Sequence, residues 1–167
     1  MKKSLVSTLA LTFVAIVLVA IMFVMNSGVF AVHANSNTGT IIHVVEHAVT
    51  DTVGDADHGV PSPDALGNVL AFHNPVFDAA NKTQVGVDNG DCVRTVTGKN
   101  GVWECFWTVI LSAGQITVEG PYNTNGTDTI LAITGGTGAY NQVRGQMTLH
   151  ARNAKGTEYD FIYHIEP

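Results

Sequence analysis

The sequence predicts an all-β fold, an antiparallel up-and-down β-barrel of about eight strands preceded by an N-terminal signal helix. Three observations carry that prediction. Apolar and polar residues alternate with period two from residue 40 onward, and Gly, Asn, Asp and Pro clusters interrupt the alternation at nearly regular spacing. No helical stripe of apolar residues follows the first 34 positions. Alternation of this kind marks half-buried strands, and many short strands at even spacing mark a barrel or a sandwich. A closed barrel leaves no exposed sheet edge, which favours closure for strands this apolar.

The N-terminal segment reads as a secretory signal. Met1-Lys2-Lys3 supplies a positive start, Leu5 to Val24 is almost unbroken apolar sequence, and Val32 and Ala34 offer small side chains for cleavage. The predicted organisation is therefore a signal peptide over 1–34 and a barrel domain over 35–167. The alternative is a retained membrane anchor, because the apolar run matches the roughly 20 residues that cross a bilayer. Both place the remaining residues in a secreted or other extracytoplasmic setting, and only the anchor implies a membrane partner.

The strands follow in order. Thr40 to His47 is the first, and Asp51 to Gly67 breaks the pattern with four Asp, three Gly and two Pro, the composition of a loop. Asn68 to Asn74 resumes, ending before Pro75, which has no N–H for a central ladder. Gln84 to Val87, Cys92 to Thr97 and Trp103 to Leu111 come next, the last two joined by a hairpin at Gly98-Lys99-Asn100-Gly101. Gln115 to Tyr122, Thr129 to Thr134, Gln146 to Arg152 and Glu158 to Ile165 complete the set.

Alternation assigns Leu70, Phe72 and Asn74 to one face of their strand, and Cys92, Arg94 and Val96 to one face of theirs. Cys105, Trp107, Val109 and Leu111 form a third set, and Ile116, Val118, Gly120 and Tyr122 a fourth. If these faces are the interior, the barrel holds an apolar, aromatic pocket lined by Leu70, Phe72, Arg94, Trp107, Val118 and Tyr122. A filled core with no pocket satisfies the same periodicity. An inward Arg94 needs a partner; Glu46 is a candidate, with Trp107 as a cation–π face.

Removing Lys2 and Lys3 leaves six Lys and Arg against fourteen Asp and Glu, a net charge of −8. Scattered cations on an acidic domain provide no footprint for nucleic acid, so a small, neutral or apolar ligand is expected. Cys92 and Cys105, close in sequence and exported, are expected to form a disulfide.

Gly67-Asn68-Val69-Leu70-Ala71-Phe72-His73-Asn74 resembles the opening strand of the allene oxide cyclases. Gln115 to Tyr122 and Leu131 to Tyr140 resemble that family's most distinctive segments, and Gly135-Gly136-Thr137-Gly138 with Val143-Arg144-Gly145 is also similar to the related dirigent proteins. The resemblance runs from about residue 40 to the C-terminus. It implies an eight-stranded barrel, commonly a dimer or trimer, that cyclises an unstable fatty-acid allene oxide or steers a coupling without any cofactor. Carried over by position, Asn74 matches an asparagine that holds a water against the epoxide oxygen. Cys92 matches a cysteine beside the intermediate, provided it is not in a disulfide, and Glu46 matches a glutamate that steers charge. Ala48 stands where the family has a further asparagine.

The remaining motifs are read as structure. Gly135-Gly136-Thr137-Gly138 lacks the lysine and helix of a phosphate loop and is expected to be a turn with positive φ. Asp51, Asp55, Asp57, His58 and Asp64 lack the rhythm of a calcium loop, so no metal site is expected. Two functions remain: a cofactor-free isomerase that steers cyclisation, and a non-catalytic carrier of a lipid or aromatic metabolite.

Overall fold

The computed structural model describes residues 39–54, 62 and 64–166; the predicted signal segment and its boundary lie outside them. Nine strands form one sheet: β1 (Thr40–His47), β2 (Thr52–Gly54), β3 (Val69–Asp78), β4 (Gln84–Val96), β5 (Val102–Leu111), β6 (Gly114–Asn123), β7 (Thr129–Gly136), β8 (Gly145–Ala151) and β9 (Glu158–Ile165). From β3 to β9 each strand is antiparallel to the next. β9 returns to β1 along the whole of both strands, and β1 closes on β3 through Val44, Val45 and Glu46. The result is the predicted closed barrel of eight antiparallel strands. β2 is an extra strand on the rim of β3.

Three sequence expectations change. The loop after Asp51 contains β2, whose Thr52 and Val53 pair with Ala71 and Leu70. The strand of Asn74 does not end at Pro75 but runs to Asp78. Pro75 lies where the outer edge of β3 passes from β2 to β1. His73 directs its N–H to that edge, onto Thr50 Oγ1 at 2.7 Å. Two residues on, Pro75 faces the same edge, so its missing donor breaks no ladder bond.

The two short strands expected at Gln84 to Val87 and Cys92 to Thr97 are one strand, β4. Asp88-Asn89-Gly90-Asp91 has turn composition yet pairs with β3 and β5 throughout. Neighbouring bulk explains why glycine sits mid-strand. A Cβ on Gly90 would meet the carbonyl oxygen of Phe106 at 2.6 Å and Cζ of Phe72 at 2.7 Å, besides the side chain of Trp107. Of the Gly135 to Gly138 stretch, Gly135 and Gly136 end β7, and only Gly138, at φ +62°, takes the expected positive φ, opening a single 3₁₀ turn.

The inward faces follow the predicted alternation except at Val96, which is exposed where the β4–β5 register shifts between Arg94 and Val96. On β5, Trp103, Cys105, Trp107 and Val109 are buried while Glu104 and Phe106 are exposed. One end of the barrel is filled: Val44, Val76, Val109, Ile116, Val118, Leu131, Met147 and Tyr163 pack together there, nearly or wholly excluded from solvent. At the other end, Cys92 and Cys105 face each other across β4 and β5 and form the expected disulfide. The filled core and the pocket therefore coexist, stacked along the barrel axis.

Candidate functional site

The pocket opens at the disulfide end. Leu70, Phe72, Trp107, Leu149 and Phe161 form its apolar walls, the Cys92–Cys105 bridge lines one side, and Glu46, Asp51, Tyr122 and Tyr159 supply the polar groups. The cavity is small, about 50 Å³, below the roughly 300–1,000 Å³ of most small-molecule sites, so a guest that fills it must extend through the mouth or displace side chains of the wall. The aromatic rings brace one another. Trp107 lies 5.2 Å from Phe161 and 6.2 Å from Phe72, centroid to centroid. The Tyr122 and Tyr159 hydroxyls are 3.0 Å apart.

Glu46 is buried on β1, and Asn74 of β3 holds it. The orientation of the Asn74 amide is fixed by backbone: its Oδ1 accepts the N–H groups of Val49 at 3.0 Å and Thr50 at 2.9 Å. Its Nδ2 must then be the donor, and it donates to Glu46 Oε1 at 2.5 Å and Asp51 Oδ1 at 2.7 Å. Both amide hydrogens are committed to carboxyl groups. The asparagine expected to hold a water is thus turned toward the acids, behind the pocket wall.

Burial raises the pKa of Glu46 well above the usual carboxylate range, and the nearby Asp88 adds to the effect. With Nδ2 donating to Oε1, Oε2 is the oxygen left to carry the proton when Glu46 is neutral. Asp88, wholly buried on β4, lies in the layer beneath the pocket and is pushed up to about 7, chiefly by burial. Burial also raises Tyr159 and Tyr163.

A pH dependence of folding follows. Asp88 titrates at about 7 in the fold against 3.8 for an unperturbed side chain. The folded chain therefore keeps a proton that the unfolded chain releases across that window, and stability falls as pH rises through it. The raised Glu46 acts in the same sense. Asp64 and Asp78, lowered by backbone hydrogen bonds from Gly98 and Lys82, act oppositely and only below that window. Thermal melts between pH 4 and pH 7 should show the decline, and Asp88→Asn should make it shallower, the remainder belonging to Glu46.

Of the residues the sequence nominated, Glu46, Leu70, Phe72, Cys92, Trp107 and Tyr122 meet at this pocket. Cys92 is there as half of a disulfide, so its conditional role as a thiol does not survive. Val118 is buried in the filled end, and Arg94 points elsewhere. Arg94 pairs with Asp64, not Glu46, and lies over Trp103 at 5.0 Å, not Trp107. Asp64 and Asp51, considered together as loop acids, are thereby spent on Arg94 and Asn74.

The sequence reading missed Asp51, Leu149, Tyr159, Phe161 and Asp88. A usable signal existed for Asp88, which shares the parity of Cys92 and Arg94 on β4. Phe161 and Tyr159 likewise share a face of β9.

Comparison with known proteins agrees with this architecture. The allene oxide cyclase family profile matches residues 49–154. Among solved structures, a pyocyanin demethylase aligns at 26% identity and TM-score 0.61, covering 74% of this chain and 100% of its own. A pterocarpan synthase dirigent protein aligns at 19% identity and TM-score 0.62, covering 78% and 98%. An exo-specific intermolecular Diels-Alderase aligns at 14% and 0.57, covering 76% and 98%. The last two likenesses speak to the fold alone.

Proposed function

The chain belongs to the allene oxide cyclase family, and from that premise we propose that it is a cofactor-free isomerase, acting outside the cytoplasm, that binds a small, largely apolar molecule and steers its ring closure or coupling. The observation that carries the reading is a buried acid, Glu46, oriented by Asn74, in the wall of a pocket that is mostly aromatic and aliphatic. The disulfide supports an oxidising, extracytoplasmic setting.

The chemistry follows from the residues. Phe72, Trp107 and Phe161 restrict the conformations of a flexible substrate, so that its reacting ends meet on one face. Glu46 Oε2 carries a proton in an apolar surround, where a hydrogen bond to a developing oxyanion is strong. Opening a strained C–O bond beside it leaves the oxygen stabilised by that O–H. The carbon skeleton then closes against the walls.

The test supplies the purified protein with an allene oxide generated in situ and measures the enantiomeric excess of the cyclopentenone. Uncatalysed closure gives a racemate, so an excess supports the reading and a racemate from folded protein refutes it for this substrate class. The 26%-identical neighbour favours a second reading with a flat aromatic substrate. Consumption of pyocyanin with no effect on cyclopentenone chirality would select that reading. Saturable binding of both compounds without turnover of either would leave a carrier.

A further inference from the structure

We propose that Asp88 is a positioning acid for Glu46: a second carboxyl, beneath the pocket floor, that holds Asn74 in place and keeps Glu46 able to donate a proton. This deepens the reading of Glu46 as an acid and rests on it.

One asparagine touches both carboxyls. Asn74 donates its side-chain amide to Glu46 Oε1 and its backbone N–H to Asp88 Oδ1 at 3.2 Å. β3 and β4 pair Asn74 with Asp88 directly, so the link is built into the register. Neither Asn74 nor Asp88 has any exposed surface. Asp88 Oδ2 has no hydrogen-bond partner. A buried anion in that state is costly, and a carboxyl that keeps its proton spares the other a like charge nearby.

Of the groups around Glu46, burial and the charges of Asp88 and Asp51 raise its pKa, and the Asn74 amide, donating to Oε1, lowers it. Asp88 comes from β4, Asp51 from the segment after β1, Tyr159 and Tyr163 from β9, and Tyr122 from β6 by way of Tyr159. β3 contributes only the neutral Asn74. No Lys, Arg or His lines the pocket, so among the described residues no cation there competes to ionise Glu46. Asp51 also repels an ionised Glu46, but it is exposed and screened by solvent. Asp88 is the like charge that water does not weaken.

The experiment is carboxyl ¹³C NMR on the whole protein with labelled Glu and Asp, Glu46 being assigned through Glu46→Gln. In the wild type, the Glu46 and Asp88 signals should each show two inflections at shared pH values, the mark of coupled titration. In Asp88→Asn, which retains an acceptor for the Asn74 N–H, the Glu46 titration should become single-step and move to lower pH. Asp51→Asn should move it less.

A Glu46 curve that is single-step in wild type and unmoved in Asp88→Asn overturns the proposal. The wild-type titration alone decides if the variant does not fold. Because this readout needs no substrate, coupled curves with a racemic product would reject the isomerase and leave the coupling standing. Steered product with uncoupled curves would do the reverse.

Discussion

Replacing Trp107 with alanine is expected to lower folding stability by about 3–5 kcal/mol and to abolish steering of the product. The residue is 2% exposed and belongs both to the pocket wall and to the packed core, touching Phe72 on one side and Phe161 on the other. Truncating a buried aromatic residue loses its transfer free energy and leaves a cavity that rigid strands cannot collapse to fill. In a domain of this size the loss corresponds to a melting-point drop of roughly 10 °C. Calorimetry checks the first effect and chiral analysis the second. Trp107→Phe should recover much of the stability, but it shortens the wall and should leave a reduced enantiomeric excess. A melting point within a degree or two of wild type for Trp107→Ala would contradict the assignment of this residue to the core.

Glu46→Gln is expected to cost steered turnover about 10²-fold or more, the usual scale for one positioned acid, with little loss of stability. Glutamine keeps the volume of the side chain and an oxygen for the Asn74 amide, but its amide is a far weaker proton donor. It also removes an ionisable group from a buried site, so the melting point should hold or rise slightly above pH 7. The diagnostic comparison is turnover against affinity. Product formation and its chirality should collapse, while binding of a neutral aromatic probe, followed by Trp107 fluorescence, should change little. A variant that retains full enantiomeric excess would remove Glu46 from the chemistry and leave the walls as the whole source of selectivity.

The barrel was legible because its information is local. β1 and β9 match their sequence boundaries, since Thr40 to His47 and Glu158 to Ile165 are dense in β-branched and aromatic residues. β4 was split because Asp88 to Asp91 carries the composition of a turn, and only the bulk of Trp107 and Phe72 across the sheet explains Gly90 there. The extension of β3 through Pro75 depended on which strand lies beside it, a fact of closure rather than of local sequence. The site divides in the same way. Glu46, Phe72 and Trp107 could be nominated from alternation and resemblance. The partner of Arg94 could not, because Asp64 lies 30 residues away in a loop whose path no periodicity describes. Asp88 was overlooked because an aspartate in Asp-Asn-Gly-Asp looks solvated until the strand that buries it is known.

The cystine in the pocket wall also determines what the protein can survive. A pair of free thiols at positions 92 and 105 would present nucleophiles to whatever electrophile entered the cavity, and a thiolate beside a strained ring is alkylated. Joined to each other, the two sulfurs offer neither a thiolate nor an S–H proton. On the proposed reading, a strained electrophile could therefore enter repeatedly without these sulfurs being consumed. In a reducing medium the same wall would become a single-use trap, spent on its first encounter.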